Sequence, residues 1–123
     1  MDQNDVDISK NIALLNIPEH VNLIAVSKRK SCSMIREAYA AGQRDFGENY
    51  VQEALEKIKE LSDLKDIRWH LLGHLQSKKC RFAVENFDMI QSLDSFKLAD
   101  KLEKQCSFLE KKMPVLIEVN IGD

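Results

Sequence analysis

Leu23-Ile24-Ala25-Val26-Ser27-Lys28 is an apolar run that closes on a hydroxyl and an amine, and the rest of the chain repeats its design. Asp45 to Asn49, Arg68 to Gly73, Met89 to Leu93 and Val115 to Asn120 are short segments of the same kind, each giving way to polar residues or glycine. The last is rich in branched side chains, which suit a pleated sheet. Between these runs lie longer amphipathic stretches. That alternation is the pattern of repeated βα units, whose strands pair in parallel. The sequence therefore predicts an α/β fold with about five parallel strands and four intervening helices.

The helices are marked by their apolar spacing and their ends. Val51, Ala54, Leu55, Ile58 and Leu61 share one face, with Glu53 four residues before Lys57 on the side expected to face water. Leu98, Ala99, Leu102, Cys106 and Leu109 form a second stripe, with Asp94 or Ser95 as its N-cap. Ser31 or Ser33 caps the first of the four helices, and Gly42 after Ala40-Ala41 stops it. Pro114 blocks helical continuation into the last strand. Ile8, Ile12, Ala13 and Leu15 predict a further short helix across the bottom of the barrel, ended by Pro18. No linker or composition break divides the chain, so residues 1–123 read as a single domain with residues 1–22 as an N-terminal extension.

Composition narrows the class. The chain has 123 residues, 44% of them hydrophobic, enough for one core, and no apolar stretch that could span a bilayer. A formal charge of -2 argues against a broad nucleic-acid footprint, and the basic clusters Lys28-Arg29-Lys30 and Lys78-Lys79-Cys80-Arg81 read as solvated helix entrances. Cys32, Cys80 and Cys106 are odd in number and widely spaced, which predicts free thiols in a reducing compartment. Met1-Asp2-Gln3-Asn4-Asp5 is acidic and polar and lacks the features of a secretory signal. A cytoplasmic protein is expected.

Chemistry-bearing residues gather at one end of the strands: Ser27-Lys28, Gly47-Glu48-Asn49, Gly73-His74-Leu75-Gln76, Ser92-Leu93-Asp94-Ser95 and Asn120. In open α/β sheets and βα barrels that carboxyl edge is where ligands bind. A buried Lys28 would have its pKa lowered, leaving a free amine for Schiff-base chemistry with a carbonyl cofactor such as pyridoxal phosphate. A solvated lysine at a strand end is the plain alternative, and the residue pattern leaves both open. Gly47 and Gly73 suit close backbone approach or ordinary turns. His70 and His74 are four apart on an extended segment, which separates them by roughly 13 Å and excludes a shared metal ion. Trp69 reads as core packing.

Ala25-Val26-Ser27-Lys28, Phe46-Gly47-Glu48-Asn49-Tyr50-Val51-Gln52-Glu53 and Trp69-His70-Leu71-Leu72-Gly73-His74-Leu75-Gln76 closely resemble the pyridoxal phosphate homeostasis protein family, also called YggS/PROSC. Ser92-Leu93-Asp94-Ser95 and Val115-Leu116-Ile117-Glu118-Val119-Asn120 continue the match in order. The resemblance implies a fold type III, alanine-racemase-like βα barrel of TIM type. It implies pyridoxal 5'-phosphate held as a Schiff base on Lys28, Asn49 as a cofactor contact, and Leu72 and Ser92 in the pocket wall. Members of this family look like carriers that buffer the cofactor and pass it to apoenzymes, rather than enzymes. Lys78 stands where many relatives have Asn, and Ser31 where Pro often follows the lysine pair.

A complete barrel of this type has eight strands in about 250 residues, so the chain is expected to be the N-terminal portion of one, without the Gly-rich phosphate loops. An unclosed parallel sheet exposes its edges and should self-associate. Three functions follow: a non-catalytic pyridoxal phosphate carrier without nucleic-acid or membrane partners, a racemase or decarboxylase of the same fold, or a fragment that no longer binds the cofactor. The second needs another acid or base facing the cofactor, and the chain has no late tyrosine.

Overall fold

In the computed structural model, which describes residues 7–122, a helix follows every strand but the last. The order is α1 (Ile8–Leu15), β1 (Ala25–Val26), α2 (Cys32–Ala40), β2 (Asp45–Glu48), α3 (Val51–Glu60), β3 (Arg68–Leu71), α4 (Cys80–Asn86), β4 (Met89–Leu93), α5 (Phe96–Leu109) and β5 (Val115–Ile117). A 3-10 turn over Ser77–Lys79 leads into α4. The strands form one parallel sheet in the order β1-β2-β3-β4-β5. Sequential order with right-handed crossovers sends each helix to the same face. The result is a wall of βα units of the barrel type.

Parallel register assigns the two faces of that wall. Phe46 pairs with Trp69, and Glu48 with Leu71, on the side the helices cover. Phe46, Trp69, Leu71 and Ile90 are buried there with Ile35, Ala54, Val84, Leu98 and Leu102 from the helices. The Phe46 and Trp69 rings lie 6.0 Å apart in a tilted contact. The opposite face carries Asp45, Gly47, Arg68, His70 and Gln91. Arg68 donates twice to Asp45, at 2.8 and 2.7 Å, His70 Nε2 lies 2.9 Å from Asp45 Oδ1, and Gln91 Nε2 lies 3.1 Å from His70 Nδ1. His74 is exposed and faces Asp94 at 3.7 Å, so the two histidines serve different partners.

The helix ends follow the sequence signals. Ser31 and Ser95 accept from Met34 N and Leu98 N at 3.2 and 3.1 Å. Gly42 adopts φ +105°, which lets its N–H reach Tyr39 O at 2.9 Å after α2.

Two expectations change. The expected strands Leu23 to Lys28 and Val115 to Asn120 shrink to two and three paired residues, because each lies at a sheet edge with one neighbour to bond. The short helix α1 forms where expected, with its C-terminal end near Leu23 and Gln43 at the amino ends of β1 and β2, and what the sequence did not show is that it also packs against α2. Among the described residues no helix is long and apolar enough to cross a membrane.

Candidate ligand site at the strand carboxyl ends

The ladder runs one residue past each of the first strands and so fixes which side chains share a row. Ser27 N donates to Gly47 O at 2.9 Å and Leu72 N to Glu48 O at 2.8 Å. With Val26 opposite Gly47 and Glu48 opposite Leu71, the register brings Asn49 and Leu72 level at the end of the uncovered face, and Lys28 lies at the same rim in the turn that follows Ser27. Ser27 and Glu48 point the other way, toward the helices.

Glycines let this rim close up. A Cβ on Gly73 would collide with Asn49 O and lie 2.9 Å from Asn49 Cα, so β3 can approach the β2 rim only without a side chain there. A Cβ on Gly47 would strike the Leu72 side chain and come within 3.2 Å of Ile24. Leu72 therefore lies across Gly47 on the open face. A cavity of about 450 Å³ opens beside Asn49, Tyr50, Gly73, His74 and Lys79. It adjoins the first turn of α3, where Tyr50 offers no side-chain cap.

Ser92 differs from the other expected site residues. It is buried on the helix side of β4, and its hydroxyl donates to Gly73 O at 2.6 Å. Its contribution is to hold the glycine that shapes the rim.

Of the two alternatives the sequence leaves open for Lys28, the structure has the solvated one: its side chain is exposed, not sequestered. β1 is an edge strand, and the neighbouring Val26 is 52% exposed. Any reactivity of the amine rests on placement and access, not on desolvation.

The buried amine nearby is Lys57, which the helical periodicity assigned to the wet side of α3. It is 7% exposed. Lys57 Nζ donates to Ser27 O at 2.6 Å, Glu48 Oε2 at 2.9 Å and Glu53 Oε2 at 2.7 Å. Glu48 is fully buried and also accepts from the Ser27 hydroxyl. Glu53 accepts from Arg29 N at 2.5 Å. Burial opposes ionisation of Glu53, but its bonds from Lys57 and Arg29 prevail and hold its pKa below the usual carboxylate value. The available signal was the three-residue step from Ala54 to Lys57, which keeps position 57 on the buried face, together with a glutamate on the covered side of β2.

The thiols of Cys32, Cys80 and Cys106 are free, and burial pushes each one up. Among the described residues no group of three His, Cys, Asp or Glu could hold a metal ion.

Comparison with known proteins places this geometry. A pyridoxal phosphate homeostasis protein from Pasteurella multocida is 43% identical over 129 aligned residues, covering 100% of this chain and 55% of that protein. The protein of that name from Escherichia coli K12 is 44% identical over 108 residues, covering 86% of this chain and 46% of its own length. The chain thus spans about half the length of the curated relatives it matches. Among solved structures, PipY of Synechococcus elongatus with PLP bound superimposes with a TM-score of 0.91 at 50% identity, over 94% of this chain and 55% of PipY. Alanine racemase from E. faecalis, at 16% identity and a TM-score of 0.65, shares the fold. The family model of the alanine racemase N-terminal domain matches residues 7–123, and the chain belongs to that family.

Proposed function

We propose that this chain binds pyridoxal 5'-phosphate through Lys28 and serves cofactor homeostasis as a carrier, handing the cofactor to apoenzymes that depend on it. The observation that carries this reading is the gathering of Lys28, Asn49 and Leu72 at one carboxyl rim, where Asn49 and Gly73 line a cavity. The names of the relatives and the PLP-bound PipY structure support it.

The residues present fit such a ligand. Gly73 lets its own backbone close against Asn49 at the wall of the cavity, and Lys28 supplies an accessible primary amine at the rim. When bound, the cofactor contributes an aldehyde carbon that a primary amine attacks with loss of water. Lys28 is the attacking amine in this reading. Asn49 offers an amide to the polar edge of the ligand, Leu72 gives its ring an apolar floor, and Ser92 acts through Gly73. The free thiols support a cytoplasmic setting.

Titration with pyridoxal phosphate, followed by absorbance, tests the assignment. Covalent attachment produces a new band in the native chain, and Lys28→Ala removes it while the circular dichroism spectrum stays the same. An undiminished band in Lys28→Ala refutes the role of Lys28. No band in either protein favours a fragment that does not bind the cofactor.

A further inference from the structure

Arg29 has φ +59°, a left-handed conformation that a non-glycine residue adopts only under constraint. It is the third residue of a turn closed by Lys30 N donating to Ser27 O at 3.0 Å, and Lys28 occupies the second position. The constraint comes from the ion cluster beneath. Lys57 and Glu48 hold the carbonyl and hydroxyl of Ser27, while Glu53 holds the N–H of Arg29. The turn is gripped immediately before and immediately after Lys28, through backbone and a buried hydroxyl.

Stability alone is a poor reason for such a cluster. Two carboxylates and one ammonium lose hydration on burial, and well-packed apolar groups of equal volume often stabilise as much or more. What apolar groups cannot do is accept a hydrogen bond from Arg29 N or donate one to Ser27 O. Hydrogen bonds of that kind fix direction, which is what an exposed amine on an edge strand lacks.

We propose that Glu48, Lys57 and Glu53 are positioning residues that set the Lys28 turn and so direct its amine toward the rim that carries Asn49 and Leu72. This rests on the reading of Lys28 as the attachment point. It adds a requirement that the reading alone does not make, since a freely moving Lys28 could also capture an aldehyde. Orientation is expected to matter because a tethered but wandering amine loses the effective concentration that a fixed one provides.

Glu53 is the member to change, because it is partly exposed and the fold tolerates its loss best. Two measurements on Glu53→Ala and Glu53→Gln separate orientation from stability. The first needs no cofactor: amide hydrogen exchange at Arg29 is expected to be at least about tenfold faster in Glu53→Ala than in the native chain, with Glu53→Gln close to native because its amide oxygen still accepts. The second uses pyridoxal phosphate and borohydride, and reads by peptide mass spectrometry the share of adduct on Lys28 relative to the other lysines. That share is expected to fall about fivefold in Glu53→Ala and to recover in Glu53→Gln, with the melting temperature little changed.

An unchanged Lys28 share in Glu53→Ala overturns the proposal, as does an equal fall in both variants. So does fast exchange at Arg29 in the native chain. A native chain that shows no preference for Lys28 overturns the proposed function instead, and the exchange measurement still decides whether Glu53 holds the turn. Should Glu53→Ala melt below the assay temperature, Glu53→Asp, which keeps the charge but shortens the reach to Arg29, is read by the same two criteria.

Discussion

Lys57→Met removes the one cation from a buried anionic site while keeping most of its volume, which makes it a direct probe of how the rim is held. In the native chain Glu48 has no exposed surface and accepts from Lys57 at 2.9 and 3.2 Å as well as from Ser27. The substitution leaves that carboxylate with the Ser27 hydroxyl alone and also strips the 2.6 Å bond from Ser27 O. Removing one partner of a buried pair costs about 3–5 kcal/mol, a large share of a typical stability of about 5–15 kcal/mol. The melting temperature should fall by roughly 10–20 °C. Urea unfolding read by the fluorescence of Trp69, the single tryptophan and 6% exposed, measures the loss. Adding Glu48→Gln to Lys57→Met removes the stranded charge, so the double variant should lose well under the sum of the two single losses. A cost for Lys57→Met below about 1 kcal/mol, or strict additivity in the double variant, would refute the buried cluster.

Further outcomes follow from other contacts. Gly73→Ala drives a Cβ into Asn49 backbone and should cost about 1–3 kcal/mol by urea unfolding while weakening cofactor binding; native-like values for both would contradict the close approach. The pKa of Asp45 is lowered, chiefly by its hydrogen bonds from Arg68 and against burial, and that of Glu53 is lowered too. A depressed carboxylate stabilises fully above its unfolded value, 3.8 for Asp45 and 4.5 for Glu53, and the gain is lost as pH falls through the folded value. Stability should therefore drop with acid below about pH 4.5, and Asp45→Asn should flatten that slope. Cys80, the most buried thiol, should react more slowly with a thiol reagent at neutral pH than Cys32 or Cys106; equal rates would argue against its place in the core. The β5 edge exposes Ile117 at 73% and Val119 at 69%, so light scattering should find concentration-dependent self-association, and a strictly monomeric chain would count against it.

Strands β2 to β4 were legible because each is flanked on both sides, so apolar content and pairing demand the same residues. At the sheet edges those demands part: Leu23, Ile24, Glu118 and Val119 have strand-like character but lie outside the paired residues of β1 and β5. Caps at Ser31 and Ser95 could be read because a side-chain oxygen before an apolar stripe has few other uses. Side-chain environment was harder. Lys57 looked wet because lysine usually is, and its burial depends on Glu48, nine positions earlier and across the βα turn, together with Ser27 O and Glu53. Lys28 is the reverse case: its apolar approach left shelter open, and an edge strand provides none. Ser92 could be assigned to the rim but not to a face, since that depends on its register with Gly73.

The central claim is that the Lys28 amine is the point of cofactor attachment, and one measurement addresses it most directly. The native chain is treated with limiting pyridoxal phosphate, reduced with borohydride, digested and sequenced by mass spectrometry. The account predicts that the adduct concentrates on the peptide carrying Lys28. An adduct spread evenly over the exposed lysines, with Lys28 unremarkable among them, would contradict it.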